Sequence, residues 1–462
     1  MNIKDVIYEV KSGREIDHLV PVTLIKTQED IDLYKSLGCN TIFTKQEFEH
    51  KYPSLDVNKF FYSVDLFSKL IYLDMDKLIY KELFFIGKDL LKFNPTETDE
   101  NEIIKIINIF ENVFEKKEWS TLLTSAEGAI RFYLLNYGIE NNIINPDELY
   151  ELFIDIYTGT DYGADKLSKE SFKKIVGSKT KEQVKYTQDI LSAFGNTITV
   201  YRGEGNRNIN NAGALSWTTN INVANFFATR LASDRARIIK ARVKKSDVIE
   251  YIDSRNEREI LIEYEKVKII DTIEMYGFKE NDNKYLDHGS MNEFYQYKYM
   301  LKEMIPFKND LEGHGKIHCL RVLLNAIIIA NHEGINKVFD RTILFTACIA
   351  HDMARDHDYD DAAHGKEAYD LLIKECGMAE NKDLEFIMKY HSIPDRLALK
   401  ELKNFPKDRQ EPLKKLLYIL KDADALDRVR FGIRSLDMDF LRLDFSKTLT
   451  LTAIQILKGI KL

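Results

Sequence analysis

Apolar residues recur at three- and four-residue spacing through most of this chain, and a strand-like texture interrupts them in the middle. Near the start, His18 to Ile25 predicts a strand, Asp30 to Leu37 a helix ending at Gly38, and Thr41 to Phe43 a second strand. The runs Lys59 to Leu73, Leu78 to Phe93, Glu102 to Phe114 and Trp119 to Tyr137 predict amphipathic helices, so residues 1–155 are expected to be mostly helical. Their dense aromatics, Phe60, Phe61, Tyr62, Phe67, Tyr72, Phe84 and Phe85, are what a packed core requires. No proline occurs between Pro146 and Pro306, and the texture changes there. Asp161 to Gly195 predicts two helices. Strands are then expected at Thr197 to Gly203, Leu215 to Thr219, Arg237 to Lys244, Val248 to Ile252, Glu259 to Tyr264 and Val267 to Thr272. A helix at Val223 to Leu231 sits among them, with Phe226 and Phe227 turned inward. The polar stretch 276–304 reads as a linker, and 305–462 returns to helical periodicity.

Length and composition sharpen this to a multidomain α+β protein. A chain of 462 residues exceeds what one core usually organises. Its 44% hydrophobic and 30% charged content is that of an ordinary globular protein, and a net charge of −8 argues against wholesale nucleic-acid binding. Cys39, Cys319, Cys348 and Cys376 are widely spaced, which favours a reducing compartment over a disulfide framework. The N-terminal residues hold no apolar signal-peptide core. The longest apolar run, Val322 to Ala330, is interrupted by Asn325 and is too short to span a bilayer. A cytoplasmic protein without membrane partners is expected.

Candidate chemistry centres on an apolar helical run that ends in His351-Asp352. An imidazole and a carboxylate side by side at a buried helix end need a partner, and a metal ion is the usual one. His318, His351-Asp352, His364, His391 and Asp424 follow one another at gaps of 33, 13, 27 and 33 residues, enough for separate helices to aim them at one centre. That order, within ACIAHDMARDHD, HGKEA, KYHSIPD and LKDADALDRVRFG, resembles the HD-domain superfamily of metal-dependent phosphohydrolases over about residues 305–435. The resemblance implies an all-α helical bundle. It implies His318, His351, Asp352 and Asp424 as ligands of one metal, with His364 and His391 completing a second and Asp352 bridging. Ala354 departs from the glycine common at that position. Imidazole and carboxylate without thiolate suit one or two ions of Mn, Fe, Ni, Co or Mg. Two such ions ~3.5–4 Å apart can activate a shared hydroxide against a phosphorylated small molecule or nucleotide. Lys316, Arg321 and Arg355 are candidate phosphate neutralisers, and His357 is a weaker alternative to His364.

A second ordered set lies in the middle domain. Arg202-Gly203 ends a strand, Ser216-Trp217-Thr218 begins 14 residues after Arg202, and Glu257-Arg258-Glu259 opens another strand, with Glu259 43 residues beyond Ser216. The set resembles the Arg-Ser-Glu class of ADP-ribosyltransferases, which grip NAD between two small sheets, over about residues 160–273. The resemblance implies Glu259, Glu257, Arg202 and Ser216 as catalytic residues, and Arg202, Gly203, Ser216, Trp217 and Thr218 as NAD contacts. Glu259 would stabilise positive charge on the ribose, Ser216 would hold Glu259, and Glu257 would orient or deprotonate the acceptor. The side chains of Trp217, Phe226 and Phe227 themselves read as core. The acceptor is a macromolecule, either a protein (arginine being one candidate) or a nucleic acid. The run Arg235 to Lys245, with six basic residues and no acid before Ser246, keeps the nucleic acid open.

The domain order expected is therefore a helical region at 1–155, an ADP-ribosyltransferase-like domain at 156–275, a linker at 276–304 and an HD-type phosphohydrolase at 305–462. A bifunctional enzyme with this pairing suits a toxin, effector or phage-defence protein by analogy. Two alternatives are a phosphohydrolase with an inert, ligand-sensing transferase-like domain, and a non-catalytic scaffold.

Overall fold

The computed structural model describes residues 19–35, 43–63, 70–83, 100–126, 128–160, 163–206, 214–359 and 362–459. The chain divides into two compact units, Met1–Asp189 and Ile190–Leu462. In the first, strands β1 (Leu19–Pro21), β2 (Phe60–Ser63), β3 (Leu70–Asp74) and β4 (Ile79–Glu82) form an antiparallel sheet in sequence order. Among the described residues, the helix expected over Lys59 to Leu73 is instead two strands, paired Phe60 to Tyr72 and Tyr62 to Leu70. The competing signal was local. Phe-Phe-Tyr and Leu-Ile-Tyr-Leu are runs of β-formers, and buried Phe60 and Tyr62 alternate with a less buried Phe61, a period of two. Of the helix expected over Leu78 to Phe93, the described part holds β4. The rest, with Phe84 and Phe85, lies outside the described residues, as do Phe67 and the first two residues of the strand at Thr41 to Phe43. The helices of this unit include α1 (Gln28–Lys35), α2 (Lys45–Lys51), α3 (Glu100–Glu115), α4 (Trp119–Thr124), α5 (Gly128–Glu140), α6 (Leu149–Thr158) and α7 (Lys169–Gly177). Thr44 and Glu47 start α2 with a reciprocal capping box. Because α7 packs on α5 and α6, residues 156–189 group with the first unit and not with the strands that follow.

After α8 (Lys181–Leu191) come β5 (Thr197–Gly205), β6 (Ser216–Thr218), α9 (Ile221–Thr229), β7 (Arg235–Lys244), β8 (Glu250–Ile252), β9 (Glu259–Leu261) and β10 (Lys268–Tyr276). Their order is β10-β7-β5-β6-β9-β8, antiparallel throughout. β5 and β6 share one aligned pair, Tyr201 with Thr218. Two three-stranded halves therefore meet at a narrow waist, where two separate small sheets were expected. Arg202 and Ser216 lie at that waist. Helix α9 packs on β5 so closely that a Cβ at Gly203 would fall 1.9 Å from the Ala224 carbonyl oxygen. Gly203, expected at the dinucleotide, is required by this backbone approach.

The remainder is helical: α10 (Phe278–Tyr285), α11 (His288–Glu303), α12 (Lys316–His332), α13 (Val338–Ala350), α14 (His364–Cys376), α15 (Lys382–Tyr390), α16 (Asp395–Leu402), α17 (Lys407–Asp427) and α18 (Thr450–Gly459). Helix α12 is buried at every position from His318 to Ala330, which makes it the central helix. The expected linker at 276–304 is structured instead. Phe294, Tyr297 and Leu301 fall at helical spacing and join the bundle core, and buried Asn281 donates to Thr452 on α18. Met291 and Met300 pack beside them, so the apolar residues of this stretch, interspersed with polar ones, form a continuous buried face. Ala224, Ala228, Ala236, Ile238 and Met275 share that core, so the strands and the bundle are one packed body. Among the described residues no helix is long and apolar enough to cross a membrane.

Candidate metal centre and a second polar site

Five helices deliver the bundle's polar cluster. His318 comes from the first turn of α12. His351 and Asp352 follow the end of α13, His364 begins α14, His391 follows α15, and Asp424 lies in the last turn of α17. His351 Nδ1 is 2.9 Å from the Cys348 carbonyl oxygen and His391 Nδ1 is 2.6 Å from that of Met388. Each ring thereby satisfies a carbonyl left open at its own helix end, and donating from Nδ1 leaves the Nε2 lone pair facing the centre. Gly365 lets α14 reach α15, since a Cβ there would lie 2.3 Å from the Met388 carbonyl oxygen.

Asp352 stands between two pairs of rings and offers one oxygen to each. Its Oδ2 is 3.5 Å from Nε2 of both His318 and His351. Its Oδ1 is 3.1 Å from His364 Nε2 and 3.7 Å from His391 Nε2. His318 Nε2 is also 3.3 Å from Asp424 Oδ1 and 3.3 Å from His351 Nε2. The donor atoms of His318, His351 and Asp352, and again those of Asp352, His364 and His391, lie within 4.8 Å of one another, close enough to hold an ion each. Except for Asp424, one-third exposed, these residues are buried. His357 sits apart, its ring 5.5 Å from that of Tyr359.

Such a donor set fits divalent ions of the kind expected. Cys319 and Cys348 are close by, but burial pushes both thiols well up, so thiolate is not on offer. The carboxylates are held ionised. Burial opposes this at Asp352, but the field of His351 and hydrogen bonds from His318, His364 and His391 keep its carboxyl well below the usual range. Asp424 is lowered in the same way, burial again opposing and the His318 hydrogen bond prevailing. Four imidazoles converging on buried carboxylates is an arrangement that a cation relieves.

His318 shows what the ion would replace. Burial and the Arg430 charge work against its protonation, yet hydrogen bonds with Asp352, Asp424 and Asp427 hold its pKa up at about 10. His351 goes the other way, pushed down to about 3 by burial. In metal-free protein the raised pKa of His318 stabilises the fold below about pH 6.5, and that contribution is lost as pH rises toward 10. The lowered pKa of His351 contributes above about pH 6.5 and is lost as pH falls toward 3. Urea midpoints of chelator-treated protein are therefore expected to fall on both sides of about pH 6.5, and Mn²⁺ should remove the alkaline decline while releasing about one proton per His318. A midpoint flat from pH 6.5 to 10 would contradict this assignment.

Behind His318 lies a support that sequence reasoning missed. His318 Nδ1 is 2.7 Å from Asp427 Oδ2, and Arg321 clamps Asp427 from Nε at 2.6 Å and Nη2 at 2.9 Å. Arg321, expected at a phosphate, is thus committed to orienting the ligand shell. Lys316 also points elsewhere, donating to the Lys302 carbonyl. Arg355 does reach the centre, donating from Nε to Asp352 Oδ1 at 3.1 Å. Arg430, one turn beyond Asp427, joins the support behind His318. It donates from Nη1 to Asp427 at 3.3 Å, while its buried Nε has no hydrogen-bond partner among the described residues. The acid at i−3 on a helix end was the available signal for both Asp427 and Arg430. Asp427→Asn is expected to weaken metal affinity about 10–100-fold with the fold intact. Unchanged affinity by competitive chelator titration would exclude the supporting role.

In the strand domain, Arg202, Ser216 and Glu259 form a connected chain. Arg202 Nη1 donates to the Ser216 carbonyl at 2.9 Å, and Ser216 Oγ donates to Glu259 Oε1 at 2.5 Å. Glu204, unnoticed in the sequence but two residues on and so on the same strand face, is buried and takes Arg202 Nε at 3.1 Å and Arg237 Nη2 at 2.6 Å. Arg255 Nη2 lies 3.0 Å from Glu257 and 3.8 Å from Glu259, so the two glutamates share a face. Trp217 and Thr218 are not on that cluster. Trp217 is buried with Ile198, Val200 and Ile260, and Thr218 Oγ1 donates to the Glu257 carbonyl. Phe226 and Phe227, expected inward, are only partly buried, with the guanidiniums of Arg434 and Arg230 over them at 4.1 and 4.5 Å. Of the basic run, Arg235 pairs with Glu274, Arg237 with Glu204, and Lys245 with the Phe194 carbonyl. Half of its expected nucleic-acid charge is engaged within the fold.

The HD domain family model matches residues 316–429, which span the metal-capable cluster from His318 to Asp424. This is a match to the bundle and leaves the strand domain outside it. No curated protein matches the chain, and no solved structure does.

Proposed function

We propose that the bundle is a dinuclear, metal-dependent phosphohydrolase acting on a phosphorylated small molecule or nucleotide. The observation that carries this reading is Asp352, whose two oxygens serve two separate histidine pairs. His318, His351 and Asp424 would hold one ion and His364 and His391 the other, with Asp352 between. Bound ions of this type supply Lewis acidity and a hydroxide at neutral pH. The chain's own residues do the remaining work. The backbone-anchored rings keep their Nε2 atoms preorganised, and Asp427 orients His318 from behind. Arg355, donating to Asp352, places a guanidinium where phosphoryl charge must be balanced. Asp424, the one partly exposed ligand, marks the side from which substrate enters. Elemental analysis of purified protein should find one or two transition ions per chain. Mn²⁺-supplemented protein should hydrolyse bis-p-nitrophenyl phosphate or a nucleotide. Metal-loaded protein inert toward a panel of phosphomonoesters, phosphodiesters and nucleotides would defeat the reading.

A second activity is supported by the Arg202, Ser216 and Glu259 chain: transfer of ADP-ribose from NAD to a macromolecule, a protein or a nucleic acid. Glu259, fixed by Ser216 and buried, is an acceptor-only group suited to a ribose hydroxyl as positive charge develops. Arg202 is gripped by Glu204 and by the strand beside it, which suits a positioning role next to the dinucleotide. The two activities in one body fit a toxin, effector or defence protein, a role that rests on analogy.

A further inference from the structure

Glu257 has a visitor from the helical bundle. Arg434 follows the metal-binding helix α17 by seven residues, yet its Nη2 lies 3.4 Å from Glu257 Oε1 in the strand domain. Its guanidinium stacks at 4.1 Å on the ring of Phe226. The approach is built into the fold. Gly432, at φ +108°, turns the chain out of the α17 extension, a conformation that other residues resist. Asn222 at the start of α9 then pins the segment, donating from Nδ2 to Asp437 Oδ1 at 2.8 Å and accepting from the Met438 N–H at 2.7 Å. Glu257 itself is buried, whereas the Arg434 side chain is 52% exposed. A buried carboxylate holding a half-exposed guanidinium from a distant segment is a recognition geometry.

We propose that Arg434 is a modification site: the chain transfers ADP-ribose from NAD to its own Arg434. The proposal rests on the transferase reading above, in which Glu257 handles the acceptor. Two cations flank Glu257, and they differ in kind. Arg255 belongs to the glutamates' own loop and pairs with Glu259 as well, so it braces the site. Arg434 comes from outside that loop and, of the two glutamates, pairs with Glu257. In the step, the bond between ribose C1′ and the nicotinamide nitrogen breaks and its electron pair leaves with neutral nicotinamide. An Nη of Arg434 bonds to C1′, and the guanidinium N–H proton passes to Glu257 and on to water. NAD and arginine become ADP-ribosylarginine, nicotinamide and a proton, with no redox partner needed.

The test is peptide mapping by mass spectrometry of the full chain incubated with NAD, together with agmatine, a small guanidinium, as an external acceptor. ADP-ribose is expected on the Arg434 peptide, and Arg434→Lys, which keeps the cation, should lose that label while still modifying agmatine. Agmatine binding to NAD-free protein, measured by calorimetry, should tighten at least about tenfold in Arg434→Ala, because the in-chain occupant is gone. Label on Arg255 or elsewhere with Arg434 bare, or equal agmatine affinity in wild type and Arg434→Ala, overturns the proposal and leaves the transferase reading standing. No nicotinamide release with NAD, with or without agmatine, removes both.

Discussion

Asp352→Ala is expected to empty the metal centre and reduce phosphoester hydrolysis by at least about 10²–10³-fold, the scale on which one preorganised electrostatic group acts. The size follows from its position. Every other candidate ligand approaches one side of the cluster, while Asp352 Oδ2 faces His318 and His351 and Oδ1 faces His364 and His391. Its loss removes a ligand from both ions and the negative charge that lets cations sit among four imidazoles. Without it, Arg355 also loses its carboxylate partner. Folding should survive, since alanine is smaller than the aspartate it replaces, and metal-free wild type is the right stability reference. His364→Ala should instead lose one ion and retain the other, and His357→Ala should change neither count. The readout is metal per chain by elemental analysis beside Mn²⁺-dependent hydrolysis. Full metal content in Asp352→Ala would refute the bridging assignment.

Glu259→Gln carries the largest expected effect on the second site. It should abolish transfer of labelled ADP-ribose from NAD to any acceptor. Glutamine keeps the size of the side chain and can still accept from Ser216 Oγ, but it removes the charge that stabilises an oxocarbenium-like ribose. Ser216→Ala leaves the charge and deletes the hydrogen bond that fixes it, so a smaller loss of about 10–100-fold is expected, as for one hydrogen bond to a charged group. Labelling by Glu259→Gln at the wild-type rate would take the catalytic role away from Glu259. Loss in Ser216→Ala as complete as in Glu259→Gln would mean that Ser216 acts directly on substrate.

Much of the site was readable because its residues are chemically conspicuous and sparse. His318, His351-Asp352, His364, His391 and Asp424 stand on predicted helices, and helix geometry limits where such ends can point. Asp427 and Arg430 were not singled out, because a carboxylate behind a ligand and a carboxylate on the metal look alike in sequence. Only the 2.7 Å contact from Asp427 to His318 Nδ1 separates them. Arg321 was misread for the converse reason, since a buried bidentate pair and a phosphate grip use the same guanidinium. Gly203, Trp217 and Thr218 follow the transferase motif in order, but packing against Ala224, core burial and a backbone hydrogen bond account for them. The helix expected over Lys59 to Leu73 failed where aromatic runs satisfy a period of two as well as one near four. Pairing across the sheet then decided the outcome.

The order of residue types along the chain determined which groups can bind cations, which can bear charge beside a ribose, and roughly where helices and strands lie. These properties are local, set by side-chain chemistry and by periodicity within a few turns. Tertiary structure alone decided that one aspartate sits between two histidine pairs and that a polar stretch is core helix. It likewise decided that a turn after α17 carries Arg434 to Glu257. Those outcomes depend on packing between segments tens to hundreds of residues apart, where contact is selected by the whole core rather than by neighbours in sequence.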